Sequence, residues 1–153
     1  KLNFSFYSLD AQIEKQCQKS IVDFVAKQGW EAFRTIETQI LKKALPFSNM
    51  ILDCGGGVVE KEENRLLLKK EKKVFFLKAP LPVLYDRLKD KTNRPALTQN
   101  QNFLQEIEEV YLRRLPFYQE CASFIINANQ EPYIVAQEIF NLLQSSFFSN
   151  SNT

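Results

Sequence analysis

Four short runs rich in β-branched or aromatic residues constrain the fold of this chain more than any other feature. They are Asn3–Leu9, Asn49–Asp53, Lys73–Lys78 and Ser123–Asn127. Helix-patterned segments lie between them. Ser20 is placed to cap a helix running toward Gln28, with Gly29 as its stop. Trp30–Leu45 follows, with Phe33, Ile36, Ile40 and Ala44 on one face. Glu62–Lys70 is short and charged. Leu81–Asp90 opens at Pro80 and Pro82, Phe103–Leu115 is strongly periodic, and Pro132–Gln144 closes the pattern. Strands alternating with helices predict an α/β fold: a parallel sheet flanked by helices. The expected organisation is one domain over residues 1–144, a polar lid-like loop at about 89–101, and a Ser/Asn-rich flexible tail over 145–153.

Composition removes several classes of function. The 153 residues suffice for one domain with a proper core, and 13 phenylalanines argue against disorder. A net charge of +2 is too weak a bias for nucleic acid or an anionic membrane. The chain has no histidine, which excludes histidine general bases, triads and metal ligands. Cys17, Cys54 and Cys121 are odd in number and widely spaced, which speaks against a disulfide framework and fits a reducing cytosol. No apolar run reaches the ~20 residues that span a bilayer, and the first residues do not read as a signal peptide.

Two helical patterns carry charge where apolar residues belong. On the Trp30–Leu45 wheel Glu37 falls inside the apolar stripe and Arg34 borders it. The pair reads either as a structural salt bridge or as a carboxylate holding a guanidinium over a pocket. On the Phe103–Leu115 wheel Arg114 shares a stripe with Phe103, Ile107 and Val110. A guanidinium there needs an anionic partner, because its charge cannot be neutralised. A ligand carboxylate or phosphate would serve. Helix-end capping is the other reading, since Pro116 follows. Arg113 faces elsewhere, toward solvent.

Gly55, Gly56 and Gly57 directly follow the second strand and hold three of the four glycines in the chain. Such a run lets backbone N–H groups approach a ligand at the carboxyl end of a strand, where open α/β sheets bind their ligands. Asp10 follows the first strand and is placed either to bind substrate hydroxyls or to cap the helix beginning at Ala11. One carboxylate, several arginines and a run of backbone amides suit a small anionic ligand bearing hydroxyl groups.

The motifs occur in a telling order: LDAQIE at Leu9–Glu14, KSIVDFVAKQGWEAFRTIE at Lys19–Glu37, DCGGGVV at Asp53–Val59, NRPAL at Asn93–Leu97 and RLPFY at Arg114–Tyr118. This series resembles the shikimate kinase family along the whole chain except the tail. The resemblance implies a nucleoside-monophosphate-kinase-like P-loop fold that uses ATP and Mg²⁺ to phosphorylate the 3-hydroxyl of shikimate, in the cytoplasm, as a monomer. It implies that Asp10 binds shikimate hydroxyls and orients the attacking oxygen, and that Arg34 and Arg114 grip the substrate carboxylate. It implies that Gly55, Gly56 and Gly57 line the substrate pocket and that Glu37 positions Arg34. Arg94 would close over the phosphates from the lid, and Arg87 would contact adenine.

Two departures from the family pattern are visible. No G-x-x-x-x-G-K-[ST] loop occurs in the sequence. Ser8 stands where the family carries an aspartate that supports Mg²⁺ through its hydration shell, so no metal ligand is assigned. The expectation is an N-terminally incomplete shikimate kinase that lacks its central first strand and phosphate loop. The alternatives are a catalytically inactive shikimate-kinase-like binding protein, a phosphate loop supplied by a separate polypeptide, or a related small-molecule kinase such as a gluconate kinase.

Overall fold

The protein is described by a computed structural model. It describes residues 3–90, 95, 97, 98 and 102–149, with side chains to residue 145. These residues fall into two compact units, one built on residues 1–68 and 91–99, the other on 69–90 and 100–153.

The first unit pairs β1 (Ser5–Ser8) with β2 (Met50–Asp53) in parallel, with Ser5 opposite Met50 and Ser8 opposite Asp53. A parallel pair needs a long crossover, which α1 (Leu9–Cys17) and α2 (Ile21–Ala44) supply. Gly29 interrupts α2 with non-helical backbone angles, so Ser20 caps one segment and Trp30 opens the next, as the sequence predicts. Ser20 Oγ accepts from the Asp23 amide at 3.1 Å and donates to the Asp23 carboxylate at 2.7 Å. Leu9, Ile13, Phe24, Phe33, Ile40, Leu41 and Ala44 form the core of this unit with Val58, Val59 and Leu68. Beyond β2 the chain passes through the glycine run into a single 3-10 turn, Val58–Glu60, and then α3 (Glu62–Leu68).

The second unit pairs β3 (Phe75–Lys78) with β4 (Phe124–Asn127), again in parallel, with Phe75 opposite Phe124. Helices α4 (Leu81–Leu88) and α5 (Phe103–Cys121) pack together, and α6 (Pro132–Ser149) packs on β4. Among the described residues, then, the α/β architecture comprises two two-stranded parallel pairs.

Four local expectations change. The strands are shorter than their sequence runs, and β1 ends at Ser8 because Leu9 already begins α1. Helix α5 passes through Pro116 to Cys121 instead of ending near Leu115. Pro116 and Leu112, whose carbonyl loses its helical donor, are both exposed residues of that helix. Residues 145–149 continue α6, where the sequence reads as tail. The register partners Phe6 and Ile51 are 69% and 52% exposed, so the described residues leave an apolar face of the first pair uncovered, although such strands read as covered on both sides.

Candidate active site

The carboxyl end of the first strand pair collects four of the sequence-predicted groups. Ser8 is the last residue of β1 and caps α1, accepting from the Ala11 amide at 3.4 Å. The capping reading of Asp10 is therefore overturned: helix α1 starts two residues earlier than expected, and Asp10 sits in its first turn with Ser8 as the cap. The Ser8 hydroxyl thus has a structural task as well.

Asp53 ends β2 and its carboxylate accepts from the Gly55 amide at 3.2 Å, which folds the chain sharply out of the strand. Gly55 has φ +65°, a backbone angle that side chains with a Cβ rarely adopt, and a Cβ there would meet Asp10 Oδ2 at 3.4 Å. Asp10 and the glycine turn are therefore in contact range. Partial burial raises the Asp10 carboxyl above its ordinary value; the nearby Asp53 charge adds to the rise, Arg34 opposes it, and Glu14 adds a smaller push upward. Cys54, between Asp53 and Gly55, is pushed up to about 12 by burial and by the Asp53 and Glu37 charges, so its thiol stays protonated.

Arg34 is 8% exposed and Glu37 1%, which makes theirs a buried pair, with Nη1 donating to Oε1 at 2.7 Å. The guanidinium also lies 5.0 Å from the Trp30 ring centre and 5.1 Å from that of Phe33. The fourth side is Gly57. A Cβ at Gly57 would fall 2.6 Å from Arg34 Cζ and closer still to both terminal nitrogens. Its φ of −90° is ordinary, so glycine here answers to space and not to backbone angle. The Thr38 hydroxyl donates to the Arg34 carbonyl at 2.9 Å within the helix. The result is one cation held by a carboxylate, two aromatic rings and a bare backbone, beside a turn whose amides are free of side-chain bulk.

The remaining candidates belong elsewhere. Arg114 is buried at 6% exposure on α5 in the second unit, with Ile107 and Val110 on the same buried stripe. Because α5 runs on past it, the helix-end reading of Arg114 is overturned. Arg113 is exposed and lies 4.0 Å from Glu109. Arg87, at the end of α4, donates to the Ala128 carbonyl at 2.9 Å, which occupies part of the guanidinium expected to contact adenine. Arg94 and most of the loop over 89–101 lie outside the described residues.

Sequence reading missed three neighbours of the site. Trp30 precedes Arg34 by one helical turn, a spacing that was legible. Asn64 and Arg65 bond the backbone just after the glycine run, and nothing in their local pattern announces it.

A parallel α/β chain with polar groups gathered at strand carboxyl ends is the class that binds ligands at that edge. The family model for shikimate kinase matches residues 1–144. Shikimate kinase 2 of Photorhabdus laumondii is 32% identical over 152 residues, covering 97% of this chain and 86% of that protein. Shikimate kinase of Thermodesulfovibrio yellowstonii is 37% identical over 139 residues, covering 91% and 80%. The structure of shikimate kinase from Acinetobacter baumannii in complex with shikimate superposes with a TM-score of 0.84 at 29% identity, covering 98% of this chain and 82% of that one. The chain belongs to the shikimate kinase family, a family of ATP-using kinases.

Proposed function

We propose that the protein transfers the γ-phosphoryl group of ATP to the 3-hydroxyl of shikimate. The observation that carries this reading is the enclosed Arg34 cation at the glycine turn, with the Asp10 carboxyl beside it. Arg34, fixed by Glu37, is built to meet a substrate carboxylate in bidentate geometry, and Gly57 leaves room for its guanidinium. Asp10, as a carboxylate, accepts a hydrogen bond from the substrate hydroxyl. It thereby orients the oxygen lone pair that attacks phosphorus. An oxygen–phosphorus bond forms, the bond from phosphorus to the ADP oxygen breaks, and the hydroxyl proton leaves toward Asp10. By its R-x-P-x-Y motif Arg114 is assigned to the substrate carboxylate.

The residues described here supply the shikimate side of the reaction. The sequence holds no G-x-x-x-x-G-K-[ST] loop. Among the described residues no group of three or more His, Cys, Asp or Glu side chains is arranged to hold a metal ion. Ser8 Oγ is engaged in capping α1. These residues do not fit a nucleotide-phosphate or Mg²⁺ site, and no step is assigned through either. No described helix is long and apolar enough to cross a membrane. The free cysteines accord with a cytosolic place.

The test is shikimate-dependent ADP release by the full-length natural protein, with shikimate 3-phosphate identified by mass. Activity that vanishes in Arg34→Lys, which keeps a cation beside Glu37 but not the bidentate fork, while the variant still melts cooperatively, supports the reading. ADP release independent of shikimate, or a wild-type protein that binds no shikimate, overturns it.

A further inference from the structure

Three successive carbonyls follow the glycine run, and two neighbouring side chains of α3 take all of them. Asn64 Nδ2 donates to the Val58 carbonyl at 2.9 Å. Arg65 Nη1 donates to the Val59 carbonyl at 2.7 Å and to the Glu60 carbonyl at 3.1 Å. The segment immediately after Gly57 is thereby held along three consecutive residues. Lys61 fastens the same segment to α2, 2.9 Å from the Glu31 carboxylate and 3.3 Å from the Thr35 hydroxyl.

Asn64 is fully buried, at 0% exposure, and its Oδ1 has no hydrogen-bond partner among the described residues. A buried amide that satisfies only one of its ends adds little net stability, since its unpaired Oδ1 is desolvated without return. What the amide does supply is direction. It fixes the Val58 carbonyl and hence the peptide plane between Val58 and Val59, one residue beyond Gly57, whose missing Cβ makes room for the Arg34 guanidinium. A rotation of that plane moves the Gly57 backbone against Arg34 or away from it.

We propose that Asn64, seconded by Arg65, is a positioning residue for substrate binding: it sets the glycine turn against Arg34 and so tunes the carboxylate site without touching the ligand. The inference rests on the shikimate reading of the site. It adds to that reading a polar group kept for geometry more than for stability.

The experiment compares wild type with Asn64→Leu, of similar size and without the amide, and with Arg65→Met, in the full-length protein. Shikimate affinity is read from the fluorescence of Trp30, the single tryptophan, which lies over Arg34. Expected for Asn64→Leu is a shikimate Kd raised about tenfold, equivalent to 1.4 kcal/mol. KM for ATP stays unchanged, and the melting temperature falls by no more than the few degrees that an unpaired Val58 carbonyl costs. Arg65→Met shifts the same Kd in the same direction and guards against a folding defect peculiar to the Leu variant. Unchanged shikimate affinity in both folded variants overturns the inference while leaving the shikimate reading intact. Equal losses for ATP and shikimate, accompanied by a fall in melting temperature, show a merely structural role and overturn it as well. Wild type that fails to bind shikimate overturns the underlying reading and the inference with it.

Discussion

Gly57 and Arg34 are complementary in space: the guanidinium occupies the volume that a side chain at 57 would fill. Gly57→Ala therefore forces the Arg34 head to move, and the head is a flexible end that can yield. The glutamate and tryptophan that hold it define what the move disturbs. The expected result is a folded protein, destabilised by no more than about 1–2 kcal/mol, whose shikimate KM rises at least tenfold. Parallel urea melts and steady-state kinetics check this. A large loss of stability with an unchanged KM would show that the close approach serves packing only.

Glu37 is the most deeply buried charged residue among the described residues of the first unit, and Arg34 is its partner at 2.7 Å. Removing one member of a buried pair leaves an uncompensated charge, which costs about 3–5 kcal/mol. Glu37→Ala should fall in that range by chemical denaturation. Glu37→Gln, which keeps a hydrogen-bond acceptor, should recover a substantial part of the stability. It should bind shikimate more weakly than wild type, because the guanidinium is no longer held by charge. Identical stability of the two variants would remove the hydrogen bond from the account and leave the lost charge alone.

Much of this was legible from residue order alone. The alternation of strands and helices, the Ser20 cap, the break at Gly29 and the burial of Arg34 and Glu37 follow from periodicity and capping chemistry. Helix ends were less legible. Ser8 displaced Asp10 as cap because the strand stops one residue before the carboxyl end of its aromatic run. Pro116 did not stop α5 because it sits on the exposed side, where a lost backbone bond is tolerated. The grip of Asn64 and Arg65 on the glycine turn was hidden, since it depends on where a 3-10 turn folds back and not on any spacing along a helix. Of the glycine run, the pattern indicated backbone access, but only coordinates separate Gly55, required by its φ, from Gly57, required by Arg34.

Asp10 gives a pH-dependent prediction. Its carboxyl is raised in the folded state by burial first and by Asp53 next. A raised carboxyl favours the protonated form of the native protein. The ionised group therefore opposes folding at neutral pH, and that opposition disappears once the pH falls below the ordinary carboxylate range, where both states are protonated. Asp10→Asn should melt slightly higher than wild type at pH 7, by on the order of 1–2 °C because the residue is still wet. The difference should vanish near pH 3.5, and kinase activity should be lost throughout. A variant less stable than wild type at pH 7 would contradict the raised value.

Cys54 borders the same turn, and its thiol is pushed up to about 12. At pH 8 its thiolate fraction is then about 10⁻⁴, far below that of an ordinary cysteine. Alkylation with iodoacetamide under native conditions, followed by peptide mass analysis, should modify Cys17 well before Cys54. Bound shikimate should not change that order. Rapid labelling of Cys54 would mean that the segment between Asp53 and Gly55 opens to solvent.

Arg114 separates a ligand-binding arginine from a structural one. It sits within α5 on a stripe with Ile107 and Val110, so its removal affects packing whatever its function. Stability alone is therefore an uninformative readout, and the ligand must be varied too. Arg114→Met, which keeps the aliphatic stem, should weaken shikimate binding by about 2–3 kcal/mol, the range of a charged hydrogen-bonded contact. The same substitution should have little effect on the shikimate carboxamide, whose neutral head forms no ion pair. Calorimetric titration of both ligands into both proteins closes the cycle, and the coupling between the guanidinium and the carboxylate is the difference of differences. A coupling near zero, with both ligands weakened equally, would assign Arg114 to the core of the second unit and leave Arg34 as the substrate arginine.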